Sequence, residues 1–443
     1  MMSARDLFIR FAWSARPKLW CTAAVLAVGL IGCSKPNSEP SAGTSAESKP
    51  NAGRSDSVRK ATADLKDVEA AKALIDGIGD DARYRIVPDN VLVEIVIKDG
   101  SGLKPDDIAL FGKLSDLETL EIFNYRQLDD ETAAHLSGLK KLERLALTNS
   151  TIGDPTVDMI VESFPSLKVL DLSSNTNMSN RAMKVICKLS ELERLVLVQN
   201  RFNDLGTLHL ANLKKLKFLD LRGNMEAGDM TLSIVGALPA LQAFKHRSTT
   251  VTDSGIEELS KSKTLRALLM QDFNITSEAG QHLAALAALR ELEIFRCPGF
   301  GSEGVAALGG MPLTRLQLRD LPMVDDQAMA VFENLPQLKR LYLHENDSIT
   351  DDGLQSLAKL KELEVIDLWA LPQVGDETIN VLATLPKLRE LSVRTVGITD
   401  AAVETILGMK QLQTLVFKEN GSVSQEAIEK LRSRNWKRLD LGD

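Results

Sequence analysis

Catalysis needs titratable or nucleophilic side chains gathered at one place, and this chain does not gather them in any familiar pattern. Its five histidines, His135, His209, His246, His282 and His344, are scattered singly. The sequence has no G-x-S-x-G, no H-E-x-x-H and no phosphate-binding glycine loop. Of four cysteines (Cys21, Cys33, Cys187 and Cys297) none forms a C-x-x-C or a Cys/His cluster, so neither a zinc site nor any cofactor is expected. The acidic pairs Asp129–Asp130, Asp325–Asp326 and Asp351–Asp352 have the composition of a calcium site. They fall at expected helix starts, however, where a carboxylate caps free amides, and capping is the better reading. His246 falls on a position that its neighbours fill with aliphatic residues, and is read as a core histidine.

What remains is the chemistry of recognition. Phe295, Arg315, Arg319, Arg340, Tyr342, His344, Asp367, Trp369 and Arg394 recur in one stretch of a chain with only 5% aromatic residues. Arg222 and Arg247 extend the basic side towards the N-terminus. Trp, Tyr and Arg carry most of the energy at binding surfaces, and Arg beside Trp permits cation–π contact.

Those nine residues come from several segments, so a regular framework must bring them together. The motif L-x-x-L-x-L starts at Leu117, Leu142, Leu167, Leu192, Leu216, Leu241, Leu265, Leu289, Leu313, Leu338, Leu363, Leu388 and Leu412, always 24 or 25 residues apart, with His246 the single non-apolar exception. Leu92-Ile95-Ile97 lies one period before and Trp436-Leu439-Leu441 one period after, giving fifteen strand positions. The fourth and sixth residues of each unit point to one side of a short strand and bury. The third, fifth and seventh point the other way, side by side across a sheet. The second half of each unit carries helix signals, clearest in Ile349-Thr350-Asp351-Asp352-Gly353-Leu354, followed by Leu357 and Leu360 at helical spacing.

This pattern resembles the leucine-rich-repeat family, in its cysteine-containing type, over about residues 86–443. The resemblance implies an α/β solenoid with a concave parallel sheet and convex helices. It also implies that Asn175, Asn200, Asn224, Asn346 and Asn420, at the ninth position, bond backbone in the turn; Cys297 shares that place, whereas Phe273, Leu321, Leu371 and Val396 depart from it. Residues 61–90 read as a helical N-terminal cap and 91–443 as the solenoid. At the other end, Arg434, Lys437, Arg438, Asp440 and Asp443 are expected to protect the last strand's edge by charge.

The beginning of the chain reads differently. Arg5, Arg10, Arg16 and Lys18 precede an apolar run from Leu19 to Ile31, too short to span a bilayer comfortably, which is the organisation of a secretory signal peptide. Its end, Leu30-Ile31-Gly32-Cys33, resembles the lipobox of bacterial lipoproteins, which implies cleavage after residue 32 and a lipid on Cys33. Residues 33–60 are rich in Ser, Pro, Ala, Gly and Asn and read as a disordered tether. The part from Cys33 onward keeps 49 basic and 60 acidic residues, net −11, against −8 for the whole chain. Such a balance argues against nucleic acid as partner.

The expected function is therefore a non-catalytic module of the cell envelope, lipid-anchored and monomeric, that holds a protein or peptide ligand on the concave face. A structural scaffold or adhesin recognising polysaccharide, or assembling with itself, is the alternative.

Overall fold

A computed structural model describes residues 62–442. The signal segment, Cys33 and the tether lie outside the described residues, as does Asp443. The strands are β1 (Ala82–Val87), β2 (Val91–Ile97), β3 (Thr119–Ile122), β4 (Arg144–Leu147), β5 (Val169–Asp171), β6 (Arg194–Val196), β7 (Phe218–Asp220), β8 (Ala243–Arg247), β9 (Ala267–Gln271), β10 (Glu291–Phe295), β11 (Arg315–Arg319), β12 (Arg340–His344), β13 (Val365–Leu371), β14 (Glu390–Val396), β15 (Thr414–Lys418) and β16 (Arg438–Asp440). They form one sheet in strict chain order. Every pair from β2 to β16 is parallel, and each repeat's motif registers on the next, Leu341 opposite Ile366 and Leu343 opposite Leu368 for example. A helix or 3₁₀ turn connects each pair of parallel strands.

The repeat explains the packing. In the unit that begins at Leu338, the side chains of Leu338, Leu341, Leu343, Ile349, Leu354, Leu357 and Leu360 are fully buried. Each layer closes only when its neighbours cover it, so stability is shared between adjacent repeats. Polar ladders run beside this core. Asn175, Asn224 and Asn346 are completely buried, and each donates through Nδ2 to the sixth-position carbonyl of the repeat before: Leu147 at 2.7 Å, Leu197 at 2.7 Å and Leu318 at 3.0 Å. Their side-chain oxygens accept from the preceding repeat's turn, as Asn346 does from the Leu321 amide at 3.0 Å. This is how a turn such as that of Leu321, which lacks its own asparagine, is satisfied.

The acidic pairs divide their labour, which corrects the uniform capping expected from sequence. Asp129 and Asp325 cap their own helices, accepting from Thr132 N at 2.8 Å and Gln327 N at 3.0 Å. Asp130, Asp326 and Asp351 reach across to the next repeat instead. Asp326 accepts from the Thr350 amide at 2.8 Å and hydroxyl at 2.7 Å, and Asp351 from the Gly375 amide at 2.9 Å and Thr378 amide at 3.0 Å. The first helical residue points its side chain along the solenoid axis, where the next helix start offers free amides.

The turn after each strand is left-handed. The eighth residue of the repeat has φ between 49° and 61° at Asn124, Asn149, Ser174, Gln199, Asp272, Arg296, Asp320, Glu345, Ala370, Thr395 and Glu419, and 83° at Gly223. Ser248 is the exception among the thirteen full motifs, and it belongs to the repeat that contains His246. His246 is fully buried between Phe244 and Phe273, with Nε2 2.8 Å from the Ala227 carbonyl and Nδ1 3.2 Å from the Leu221 carbonyl. It is a core histidine in an irregular repeat, as read from the sequence.

The N-terminal cap differs from expectation in one element. Helix α1 (Leu65–Ile78) buries Val68, Ala71 and Ile75, and it is followed by β1, which pairs antiparallel with β2 and adds a sixteenth strand. Asp116, 4% exposed, clasps the start of this cap through the amides of Thr62 (2.7 Å) and Ala63 (2.9 Å) and the Thr62 hydroxyl (2.6 Å). At the far end Arg434 stacks on Trp436 at 4.0 Å and donates to the carbonyls of Ile406, Leu407, Met409 and Leu412. That end is thus closed by hydrogen bonding as well as by the charge expected there.

Candidate functional site

The nine residues singled out from sequence lie on five consecutive strands, β10 to β14, on the side of the sheet away from the helices. Strand register sets them in rows. The seventh-position row runs Phe295, Arg319, His344, Trp369, Arg394, and the fifth-position row includes Gln317, Tyr342, Asp367 and Ser392. The third-position row places Arg315 beside Arg340.

Contacts across these rows form an alternating stack of guanidinium and aromatic groups. Arg319 lies over Phe295 at 4.3 Å and over Trp369 at 5.0 Å; Arg394 lies over Trp369 at 5.0 Å from the neighbouring strand on the other side. Arg315 lies over Tyr342 at 4.8 Å. His344 sits beneath, edge-on to Trp369 at 5.6 Å and to Tyr342 at 6.1 Å, and is only 7% exposed. Because Trp369 reaches past His344 to touch an arginine two strands away, the indole covers the imidazole.

Asp367 is the electrostatic counterweight. Its carboxylate accepts from Arg394 Nη2 at 2.8 and 3.0 Å, and His344 Nε2 lies 3.3 Å from its Oδ2. Burial alone would raise the Asp367 pKa, but His344 and Arg394, helped by Ser392, outweigh it and hold the carboxyl below its ordinary value. Arg319 gives Nε to Glu345 at 2.9 Å, and Arg315 gives Nη1 to Glu293 at 3.3 Å and Nη2 to Gln317 at 2.8 Å. Arg340 is exposed and makes no ion pair among the described residues.

Sequence reading missed two members of the site. Arg296 stacks on the second face of Phe295 at 4.5 Å and binds Asp272 through Nε (2.6 Å) and Nη2 (2.9 Å); Glu345 holds Arg319. Both are eighth-position residues, which simple alternation assigns to the other side of the sheet. The left-handed turn brings them back to the rim.

Five buried side-chain polar atoms lack a hydrogen-bond partner among the described residues: Tyr125 Oη, Ser262 Oγ, His344 Nδ1, His344 Nε2 and Arg394 Nε. Three of them belong to His344 and Arg394, the two residues that flank Trp369 in the seventh-position row. For His344 Nε2 the nearby Asp367 oxygen is at ion-pair distance but outside hydrogen-bond alignment. The two cysteines of the repeats have no part in this site. Cys187 and Cys297 are buried free thiols, both pushed up to about 12 by burial. No group of three or more metal-ligating side chains occurs among the described residues, nor any helix long and apolar enough to cross a membrane.

Comparison with known proteins agrees with this architecture. A family model described as leucine-rich repeat matches residues 334–358. A putative RNA-binding protein of Caenorhabditis elegans is 27% identical over 231 residues, 48% of this chain and 30% of that protein. F-box/LRR-repeat protein 4 of Bos taurus is 27% identical over 227 residues, 49% of this chain and 29% of that protein. The chain therefore spans just under a third of the length of these curated relatives. The structure of the yeast Rad7 and Elc1 complex contains a chain that aligns with a TM-score of 0.54 at 16% identity, covering 85% of this chain and 92% of that one. No enzyme family emerges from these matches. With one strand and one helical segment per repeat, stacked in chain order, the protein has the fold of a leucine-rich-repeat solenoid.

Proposed function

We propose that this protein is a non-catalytic binding module that takes a protein or peptide ligand on the sheet face between β10 and β14, and that a lipid on Cys33 tethers it to a bacterial membrane at the cell envelope. The observation that carries the first part is the cluster of Phe295, Arg315, Arg319, Tyr342, Trp369 and Arg394 in cation–π contact on one sheet face, where His344 Nδ1 and Arg394 Nε are buried with no hydrogen-bond partner among the described residues. Buried polar groups are almost always satisfied, and leaving one unpaired costs about 1–3 kcal/mol. Such a cost concentrated on a half-buried aromatic and arginine surface marks a place organised for something other than stability. Rigid strands preorganise the surface and lower the entropy lost on binding.

The relatives support a binding reading by analogy, since one is named F-box/LRR-repeat protein 4 and the yeast structure is that of a complex of Rad7 and Elc1. The name of the Caenorhabditis elegans relative raises RNA as a competitor; the acidic balance of this chain and the carboxylates Glu293, Glu345 and Asp367 within the patch disfavour it. The tether rests on the Leu30-Ile31-Gly32-Cys33 sequence and the polar segment after it.

Alanine replacement of Trp369, Tyr342 and Arg394 together, followed by crosslinking and mass spectrometry of partners on intact membranes, tests the face. Loss of specific crosslinks is expected. An unchanged partner set rejects the patch, and crosslinks only to polysaccharide or to other copies favour a scaffold. Mass analysis of the N-terminal peptide tests the anchor: an unmodified Cys33, or a chain still carrying residues 1–32, rejects it.

A further inference from the structure

The geometry points to an acidic, extended peptide segment as the ligand of this face, with two carboxylates two residues apart gripped by Arg319 and Arg394 on either side of Trp369. This rests on the binding reading above and names the partner's chemistry.

Three features lead there. The first is which hydrogen-bonding capacity is unspent. Arginine only donates, and it does not lose its proton in proteins. Arg319 uses Nε on Glu345, and both its terminal nitrogens make no hydrogen bond among the described residues. Arg394 spends Nη2 on Asp367, while Nη1 is unbonded and Nε is buried without a partner. Arg340, in the third-position row, is exposed and its side chain makes no ion pair among the described residues. A ligand that fits must bring acceptors.

The second is how the guanidinium groups are held. Cation–π contact fixes the place of each guanidinium: Arg319 lies between Phe295 and Trp369, and Arg394 against Trp369. A planar fork fixed in place is preorganised for a planar carboxylate. A phosphate, with its greater charge, would meet Glu293, Glu345 and Asp367 at close quarters.

The third is spacing. Both guanidinium carbons lie 5.0 Å from the same Trp369 ring centroid, so they are no more than about 10 Å apart. In an extended segment, side chains at i and i+2 share a face and are about 6.6–6.8 Å apart along the chain. Two acidic side chains in that relation reach both forks while their methylene stems rest on the indole. Adjacent acids cannot, because alternate residues point to opposite sides.

The test is a display library of random twelve-residue peptides panned on the full-length chain and, in parallel, on Trp369→Ala. The expected result is that peptides retained only by the native chain are enriched in Asp or Glu at i and i+2. Arg319→Gln or Arg394→Gln weakens the best of them at least about tenfold, and the double variant Arg319→Glu, Arg394→Glu selects basic pairs instead. Trp369-dependent peptides without an acidic pair overturn the inference but leave the binding face in place. Peptides retained equally by both chains sink the face and the inference together. Tighter binding of a phosphoserine peptide or of poly-uridine RNA than of the selected acidic peptide overturns the carboxylate assignment. Matching thermal melts of every variant exclude misfolding as the cause.

Discussion

Replacing Asp116 by asparagine is expected to release the N-terminal cap and nothing else. Asp116 is all but completely buried, and it gathers most of the hydrogen bonds that fasten the start of the described chain to the repeats. It accepts from Thr62 N, Ala63 N, the Thr62 hydroxyl and Lys141 Nζ, the last at 2.6 Å. Burial pushes its pKa up, but these four donors, Lys141 foremost, more than reverse that and hold the carboxyl well below the usual carboxylate range. Hydrogen bonds to a charged group contribute roughly 1.5–3 kcal/mol each. The asparagine keeps one oxygen but turns an amide donor towards donors, so a net loss of about 2–3 kcal/mol follows. In a solenoid such a loss is felt by the neighbouring layer and not by the whole stack. With 1.36 kcal/mol per factor of ten, amides of Val68–Ile75 in α1 should exchange with solvent roughly 30- to 160-fold faster. Those of β12 and β13, more than two hundred residues away in sequence, should not change.

The same clasp gives a pH signature with a definite sign. The folded-state pKa is depressed, so the stability it supplies is fully present above the unfolded value near 3.9 and is lost as pH falls through the lower, folded value. Acidification from about pH 4.5 downward should therefore loosen α1 in the native chain, and this pH-dependent part should vanish in Asp116→Asn. Hydrogen exchange followed by mass spectrometry reads both effects. Equal acceleration in α1 and in β12–β13, or none in either, would refute the idea that this carboxylate anchors the start of the cap.

Three further outcomes follow from the framework. Burial lowers the His246 pKa against the pull of the Ala227 and Leu221 carbonyls, so the unfolded chain takes up the proton first and stability falls as pH drops below about 6.5; His246→Leu should remove up to roughly 1 kcal/mol of that loss between pH 7 and 5.5, read as the difference between thermal melts of the two chains. Thr395 is β-branched yet sits at φ 53°, and Thr395→Asn should stabilise by about 0.5–1 kcal/mol in urea unfolding, because asparagine tolerates this conformation; a lower midpoint would show that its hydroxyl bond to Glu419 matters more. A Cβ on Gly112 would stand 2.0 Å from the His135 carbonyl oxygen, so Gly112→Ala should force apart α2 (Pro105–Phe111) and the next repeat's helical turn and cost at least about 2 kcal/mol; unchanged stability would mean that this backbone contact gives way freely.

The sheet was legible in the sequence because its cause is local and repeated: an apolar residue at the fourth and sixth places of each unit, His246 excepted, has only one side of a strand to bury on. The grouping of Phe295, Arg319, His344, Trp369 and Arg394 followed from the same register. Strand β1 escaped because it lies outside the period, although Ala82, Tyr84 and Ile86 alternate with Arg83 and Arg85 in the manner of an edge strand. Arg296 and Glu345 escaped for a different reason. Their side depends on a left-handed φ that no side-chain pattern announces, since Asn, Ser, Gln, Asp, Arg, Glu, Ala and Thr all occupy that position here. The inter-repeat role of Asp351 escaped because its acceptor geometry is set by the next helix start, which only the stacked structure supplies.

The left-handed turn also explains why recognition can vary here without endangering the fold. Core positions one, four, six and nine of the repeat carry the buried side chains; positions three, five, seven and eight carry the face. A residue at the eighth position already bears the backbone cost of φ near 50°, on the order of 1 kcal/mol, and eleven repeats accept that cost on residues other than glycine. The turn is thus imposed by the strand before it and the helix after it, not by the residue that makes it. Its side chain is therefore free to be chosen for what it touches. The one repeat that abandons the left-handed turn, at Ser248, is also the one with a histidine in the core and Thr249 at the ninth place. Loss of the turn and loss of the regular core coincide there, as they must if the ladder and the layer enforce the turn together. At β10–β14 both are regular, with Cys297, Leu321, Asn346, Leu371 and Val396 all buried at the ninth place. A scaffold that regular can hold an indole edge-on to a buried imidazole whose Nδ1 has no hydrogen-bond partner among the described residues.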